Sequence, residues 1–141
     1  MRILVSACLL GVKCRYDGKE KLNEAVAVLA AKHELVPFCP EIYGGLPTPR
    51  DPAEIRGDRV YTCKGNDVTA EYEKGAEMAL KVAQMLKCDC ALLQDRSPSC
   101  GIGLVHNGLF DGGLVEGDGK TAELMRKAGR RLVRASQVDE I

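Results

Sequence analysis

At 141 residues and 15.3 kDa, with 45% hydrophobic residues, the chain has enough apolar material for one core and is expected to form one domain spanning residues 1–141. Twenty basic residues balance 20 acidic ones, so neither long nucleic acid nor a membrane surface is expected as a partner drawn in by bulk charge. No apolar run approaches the roughly 18–20 residues of a membrane span, Met1–Val5 leads straight into a strand without a signal-peptide core, and the expected location is cytoplasmic.

Arg2–Ser6 (R-I-L-V-S) reads as a short buried strand, and Cys8 falls just past its end. The loop Leu9–Gly18 closes on the turn pair Asp17-Gly18. From Asn23, a good capping residue, to Lys32, the apolar positions Ala25, Val26, Leu29 and Ala30 take helical spacing. Glu34–Phe38 is a second short apolar run ending at Cys39-Pro40-Glu41, and Pro37 inside it, which cannot donate to a ladder, confines it to an edge or a strand end. Ile42–Arg59 holds Gly44, Gly45, Pro47, Pro49 and Pro52 without a period, and reads as a long irregular loop of the kind that carries function.

Arg59–Thr69 reads as a small hairpin turning at Lys64–Asp67, with Cys63 a hairpin residue rather than a ligand. Thr69 then caps a helix whose apolar face is Ala76, Ala79, Leu80, Ala83 and Leu86. Cys88 and Cys90 flank Asp89 and read as small hydrophobes on one face of a strand that runs on to Leu93. That strand feeds the loop Gln94–Gly101 (Q-D-R-S-P-S-C-G), which packs a cysteine, two hydroxyls, an acid and a base into eight residues. Leu104–Gly119, glycine-rich and acidic, reads as a surface hairpin or lid. Thr121–Ala128 is a last helix ended by Gly129, and Arg131–Arg134 is a fourth, edge strand.

Strands alternating with helices predict an α/β fold, a small three-layer domain on a mainly parallel sheet of about four strands. The site of such a sheet lies at the C-terminal strand ends, and Cys8, Cys39 and Cys100 each follow one of them. Seven cysteines are an odd number, which rules out complete pairing within the chain, and the absence of a secretory signal favours metal binding or catalysis. No pair has the C-x₂₋₄-C spacing of a zinc knuckle, and His33 and His106 lie outside these loops. Soft thiolate ligands without histidine favour iron–sulfur over zinc, although spacing alone leaves zinc open.

Three stretches, S-A-C-L-L-G-V-K-C-R-Y-D-G (Ser6–Gly18), C-P-E-I-Y-G-G-L-P-T-P-R (Cys39–Arg50) and Q-D-R-S-P-S-C-G (Gln94–Gly101), together resemble the thiouracil desulfidase (TudS-like) family, in the same order and over a likeness running from Arg2 to about Arg134. The resemblance implies a non-redox desulfidase that converts thiolated pyrimidines such as 2-thiouracil, or their 4-thio, nucleoside or nucleotide counterparts, to the oxo form and releases sulfide. It implies a [4Fe-4S] cluster held by Cys8, Cys39 and Cys100 alone, with Cys14 a neighbour of the cluster rather than a ligand. It also implies roles for Glu41, as general base or proton shuttle, and for Ser97, which would orient the water or hydrogen-bond the ring.

Three protein ligands leave one iron open, and a soft thiocarbonyl sulfur suits that position, so the metal is expected to act as a Lewis acid rather than an electron donor. The resemblance also implies that Arg15, Tyr16 and Asp17 wall the pocket; Arg50 is placed to grip a phosphate if the substrate is a nucleotide, and Asp95 with Arg96 reads as a local pair. Two other functions fit the cysteines. One is a cluster- or zinc-binding sensor or carrier without turnover; the other is a sulfurtransferase or thiol redox enzyme with Cys100 as nucleophile.

Overall fold

The computed structural model describes every residue from Met1 to Ile141. Eight short strands, β1 (Arg2–Ser6), β2 (Glu34–Phe38), β3 (Ala53–Arg56), β4 (Arg59–Thr62), β5 (Cys90–Leu93), β6 (Leu104–His106), β7 (Leu114–Glu116) and β8 (Leu132–Arg134), sort into three sheets. The principal sheet is parallel, in the order β2-β1-β5-β8, with Arg2 opposite Glu34, Ile3 opposite Cys90 and Ala91 opposite Leu132. The helices are α1 (Glu24–Ala27), α2 (Pro40–Tyr43), α3 (Thr69–Met85) and α4 (Lys120–Lys127). The expected α/β architecture with four parallel strands is what forms.

Both faces of the sheet are covered, which is why β1 and β5 are continuous apolar runs rather than alternating ones. Ile3, Val5, Cys90 and Leu92 point to the side of α1, where Val26 meets them; Leu4, Ala91 and Leu93 point to α3 and α4, against Ala79, Ala83, Ala122 and Met125. Each large aliphatic chain buried here stabilises the fold by about 1.5–3 kcal/mol before conformational entropy is counted. Pro37 lies in β2, an edge strand, as its missing N–H requires.

Several local expectations are corrected. Asn23 caps α1 as expected, its side chain accepting from the Val26 amide at 3.3 Å, but the α-helix ends at Ala27 and continues as a 3-10 turn over Val28–Ala31. Val26 is the single buried residue of that stretch, so packing holds only one turn in α geometry. Within Ile42–Arg59 the chain is not wholly irregular. Pro40 starts α2 from the first helical position, where its missing N–H costs nothing, and β3 pairs antiparallel with β4 across Gly57-Asp58.

The main hairpin therefore lies one strand earlier than the pattern suggests. Lys64–Asp67 makes only a fold-back with a single Tyr61–Asp67 bridge. Thr69 does not cap α3 with its hydroxyl, which accepts from the Val60 amide at 2.8 Å; the Asp67 carboxylate caps instead, accepting from the Thr69 amide at 2.9 Å. Cys88 and Cys90 are both buried, but on opposite sides of the sheet, because β5 begins only at Cys90 and the chain turns at Asp89. No helix is long and apolar enough to cross a membrane.

Candidate active site

The order β2-β1-β5-β8 reverses direction at β1, so a crevice opens between the ends of β1 and β5. Ser6, the last residue of β1, ties the two edges of that crevice: its Oγ accepts from the Gln94 amide at 2.9 Å. Beyond it lies a cavity of about 740 Å³ whose lining includes Cys8, Cys14, Cys39, Glu41, Ser97 and Cys100. Residues 92 positions apart in the chain are thus brought to one space by strand ends alone.

Cys8 sits in the 3-10 turn that follows β1, Cys39 is the residue between β2 and α2, and Cys100 ends the turn after β5. All seven cysteines are free thiols. The Cys39 thiol donates to the Cys14 carbonyl at 3.8 Å, and Cys14 lines the same cavity. The contact with Cys14, and then burial, push the Cys39 thiol far up. Cys14 is eased by Cys39 but raised more by Cys8 and by burial, to about 11. Burial pushes Cys100 up to about 12, partly offset by Ser6 and Ser99. Thiols gathered in this way resist ionisation unless a positive centre joins them. No three His, Cys, Asp or Glu side chains are grouped around one point as a single metal ion would need; the thiols instead ring the cavity.

Glu41 reaches the cavity from the first turn of α2. Its Oε1 accepts from the Tyr72 hydroxyl at 2.5 Å and from Arg50 Nε at 3.3 Å. Burial, and then the Glu41 charge, keep the Tyr72 phenol protonated well above its usual range, so it is a permanent donor. Ser97 serves the loop it belongs to: its Oγ accepts from the Cys100 amide at 2.6 Å and the Ser99 amide at 3.2 Å. Both oxygen lone pairs are taken, and the hydroxyl proton remains to be donated.

Arg15 and Tyr16 line the cavity as expected, while Asp17 pairs with Arg15 at 3.9 Å and accepts from the Lys19 amide. Arg50 is not a free cation. Its side chain is 7% exposed, and besides Glu41 it donates to the carbonyls of Pro47 and Cys14 and to Thr48 Oγ1, which leaves one of its five N–H groups for anything else. Asp95 and Arg96 do not form the expected pair: Arg96 is exposed, and Asp95 Oδ1 is buried without a partner.

Sequence reasoning passed over four residues of the wall. His106, set aside as outside the loops, lines the cavity with its Nδ1 buried and unpartnered. Cys63 stands at the exposed rim just after β4, and Tyr72 reaches in from α3. Glu54 lines it too, with Oε1 accepting from the amides of Gly108 and Phe110 at 2.9 and 3.1 Å, thereby fastening the β6–β7 hairpin over the site. A tyrosine one turn inside an amphipathic helix, or an acid in a glycine- and proline-rich stretch, carries no local mark of such a role.

Comparison with known proteins decides the family. A family model described as 2-thiouracil desulfurase matches residues 3–137. The chain belongs to the 2-thiouracil desulfurase family. It is similar, with a TM-score of 0.93 and 46% identity, to a solved structure described as the [4Fe-4S]-dependent thiouracil desulfidase TudS (DUF523Vcz), covering 99% of this chain and 93% of that one. It is also 38% identical to the uncharacterized protein YbbK of Bacillus subtilis (strain 168), over 99% of each chain. Membership accounts for the order of the three motifs, all of which open onto the one cavity.

Proposed function

We propose that this chain is a non-redox desulfidase of thiolated pyrimidines, converting a ring C=S and water to C=O and hydrogen sulfide. The observation that carries the reading is the cavity itself: it gathers Cys8, Cys39 and Cys100 from three strand ends beside a carboxylate held at fixed orientation. The donor set fits an iron–sulfur cluster. The thiols surround a space rather than a point, their charge needs a cationic partner, and no histidine stands among the three. In this reading Cys8, Cys39 and Cys100 hold a [4Fe-4S] cluster, and Cys14, which lines the same cavity, is its neighbour. When bound, the cluster supplies a soft Lewis acid at the iron that no cysteine takes, a group suited to thiocarbonyl sulfur.

The chain's own residues do the rest. Glu41 keeps Oε2 free of protein partners while Oε1 is occupied twice, so one oxygen is left to take the proton from the water that adds to the C=S carbon. That proton then passes to the departing sulfur, and the proton released from the added hydroxyl as C=O forms supplies the second one of hydrogen sulfide. Ser97 has one hydroxyl hydrogen to give, and it suits the exocyclic carbonyl oxygen of the pyrimidine. Phe110 and Tyr16 supply apolar wall on which a flat ring rests, and the hairpin fastened by Glu54 limits water.

The deciding experiment is anaerobic reconstitution with iron and sulfide, followed by assay of 2-thiouracil and 4-thiouridine for loss of thiocarbonyl absorbance and release of sulfide. Turnover that requires the cluster and no added reductant is expected. A loaded protein without turnover on either compound would move the reading to a sensor or carrier. Activity that survives metal removal and leaves a persulfide on Cys100 would move it to a sulfurtransferase.

A further inference from the structure

Gly75 sits in the middle of α3, where glycine is less stable than alanine by about 1 kcal/mol. A Cβ at this position would lie 1.9 Å from the Pro40 carbonyl oxygen and 2.7 Å from its carbon. Just past the end of α2, a Cβ at Gly44 would lie 2.0 Å from the Glu71 carbonyl oxygen. The backbones of α2 and α3 therefore touch, and two glycines make the contact, one within α3 and one capping the end of α2. Glu41 follows Pro40, and Tyr72 is one helical turn before Gly75, so the contact that requires glycine is also the one that sets Glu41 against Tyr72.

We propose that Tyr72 and Arg50 are the positioning residues of Glu41, seated by the glycine contact of α2 on α3: together they occupy Oε1 and present Oε2 as the one oxygen available for proton transfer. The phenol donates at 2.5 Å and the guanidinium at 3.3 Å to the same atom, which fixes both the rotamer and the plane of the carboxylate. Arg50 is in turn held by the carbonyls of Pro47 and Cys14, so the carboxylate is referenced to the loop between β1 and α1 as well as to α3. Neither donor is free to turn away, since the tyrosine is buried at 2% exposure and the arginine side chain at 7%. Neither Tyr72 nor Arg50 supplies or accepts the transferred proton.

The inference rests on the desulfidase reading for what Glu41 does, and its test separates the two. Tyr72→Phe keeps the ring and removes one donor. In the cluster-loaded enzyme it is expected to lower kcat about 10- to 100-fold with KM within about twofold and iron content unchanged. In a Glu41→Gln background the same substitution is expected to change kcat less than about twofold, because the group it positions is already gone. Full additivity of the two substitutions would overturn the proposal.

A second readout needs neither cluster nor turnover. With 3-fluorotyrosine incorporated, the ¹⁹F resonance that disappears in Tyr72→Phe is expected to shift in Glu41→Gln and in Gly75→Ala. A resonance that stays in place in Glu41→Gln would overturn the contact. Absence of turnover in the loaded wild-type enzyme would instead overturn the desulfidase reading, and the fluorine comparison would still decide the contact.

Discussion

Ser97→Ala tests whether the loop that presents Cys100 is built by a side chain. The hydroxyl oxygen accepts from two backbone amides, those of Ser99 and Cys100, whose residues are 0% and 5% exposed. Removing it leaves two buried donors without a partner, and each costs about 1–3 kcal/mol. The adjoining cavity admits water to part of this turn, which puts the total near the lower end, about 2 kcal/mol. An unfolding entropy of about 2.1 cal/mol/K per residue over 141 residues converts that to a fall in Tm of about 7 °C.

The assay is thermal unfolding of the metal-free chain, followed by circular dichroism, for the wild type, Ser97→Ala and Ser97→Thr. Threonine keeps the accepting oxygen and is expected to melt within about 2 °C of the wild type. An alanine variant that melts within about 1 °C of the wild type would refute the account of the turn. A threonine variant as unstable as alanine would refute it equally.

Three further outcomes follow from the same geometry. Cys8→Ser, Cys39→Ser and Cys100→Ser should each lose iron and activity together, whereas Cys14→Ser keeps a measurable fraction of both; equal losses in all four, read by iron content and the cluster's visible absorbance, would sink the three-ligand assignment. Glu54→Ala removes a carboxylate bonded to the amides of Gly108 and Phe110, and is expected to destabilise the fold by about 3 kcal/mol and raise KM for 2-thiouracil, with Glu54→Gln milder because it keeps an acceptor. Urea unfolding and steady-state kinetics check both.

The side-chain bond from Arg59, and then that from Thr69, hold the Asp67 carboxyl down at about 2. Its folded pKa lies below the ordinary 3.8, so its contribution is present above about pH 4 and is lost as pH falls towards 2. The urea midpoint of Asp67→Asn should therefore approach that of the wild type across that window, and a constant difference down to pH 2 would contradict the assignment.

Much of the parallel sheet is legible in the sequence. Arg2–Ser6, Glu34–Phe38 and Cys90–Leu93 are mostly apolar runs of strand length, bounded by turns or helical spacing, and the two buried ones, β1 and β5, have little freedom to look otherwise. The errors sit where the local pattern is weak. Glu54-Ile55-Arg56 alternates too briefly to declare a strand beside three prolines, yet it pairs with β4, and Glu54 ties it to the loop between β6 and β7. The single buried Val26 likewise gave helical spacing without a helix of matching length.

The cysteines at strand ends, and the family that their motifs resemble, could be read from the chain alone, because parallel strands must deliver their C-terminal ends to one side. What only the tertiary structure decided is which side chains meet there. Tyr72 reaches Glu41 across 31 positions, Arg50 is consumed by Glu41 and by loop carbonyls instead of waiting for a phosphate, and His106 enters the wall from a hairpin that sequence placed outside the loops. Such contacts depend on how closely two helices approach and on where a hairpin is fastened. Distances of that kind arise from packing between segments remote in the chain, and no local pattern of residues encodes them.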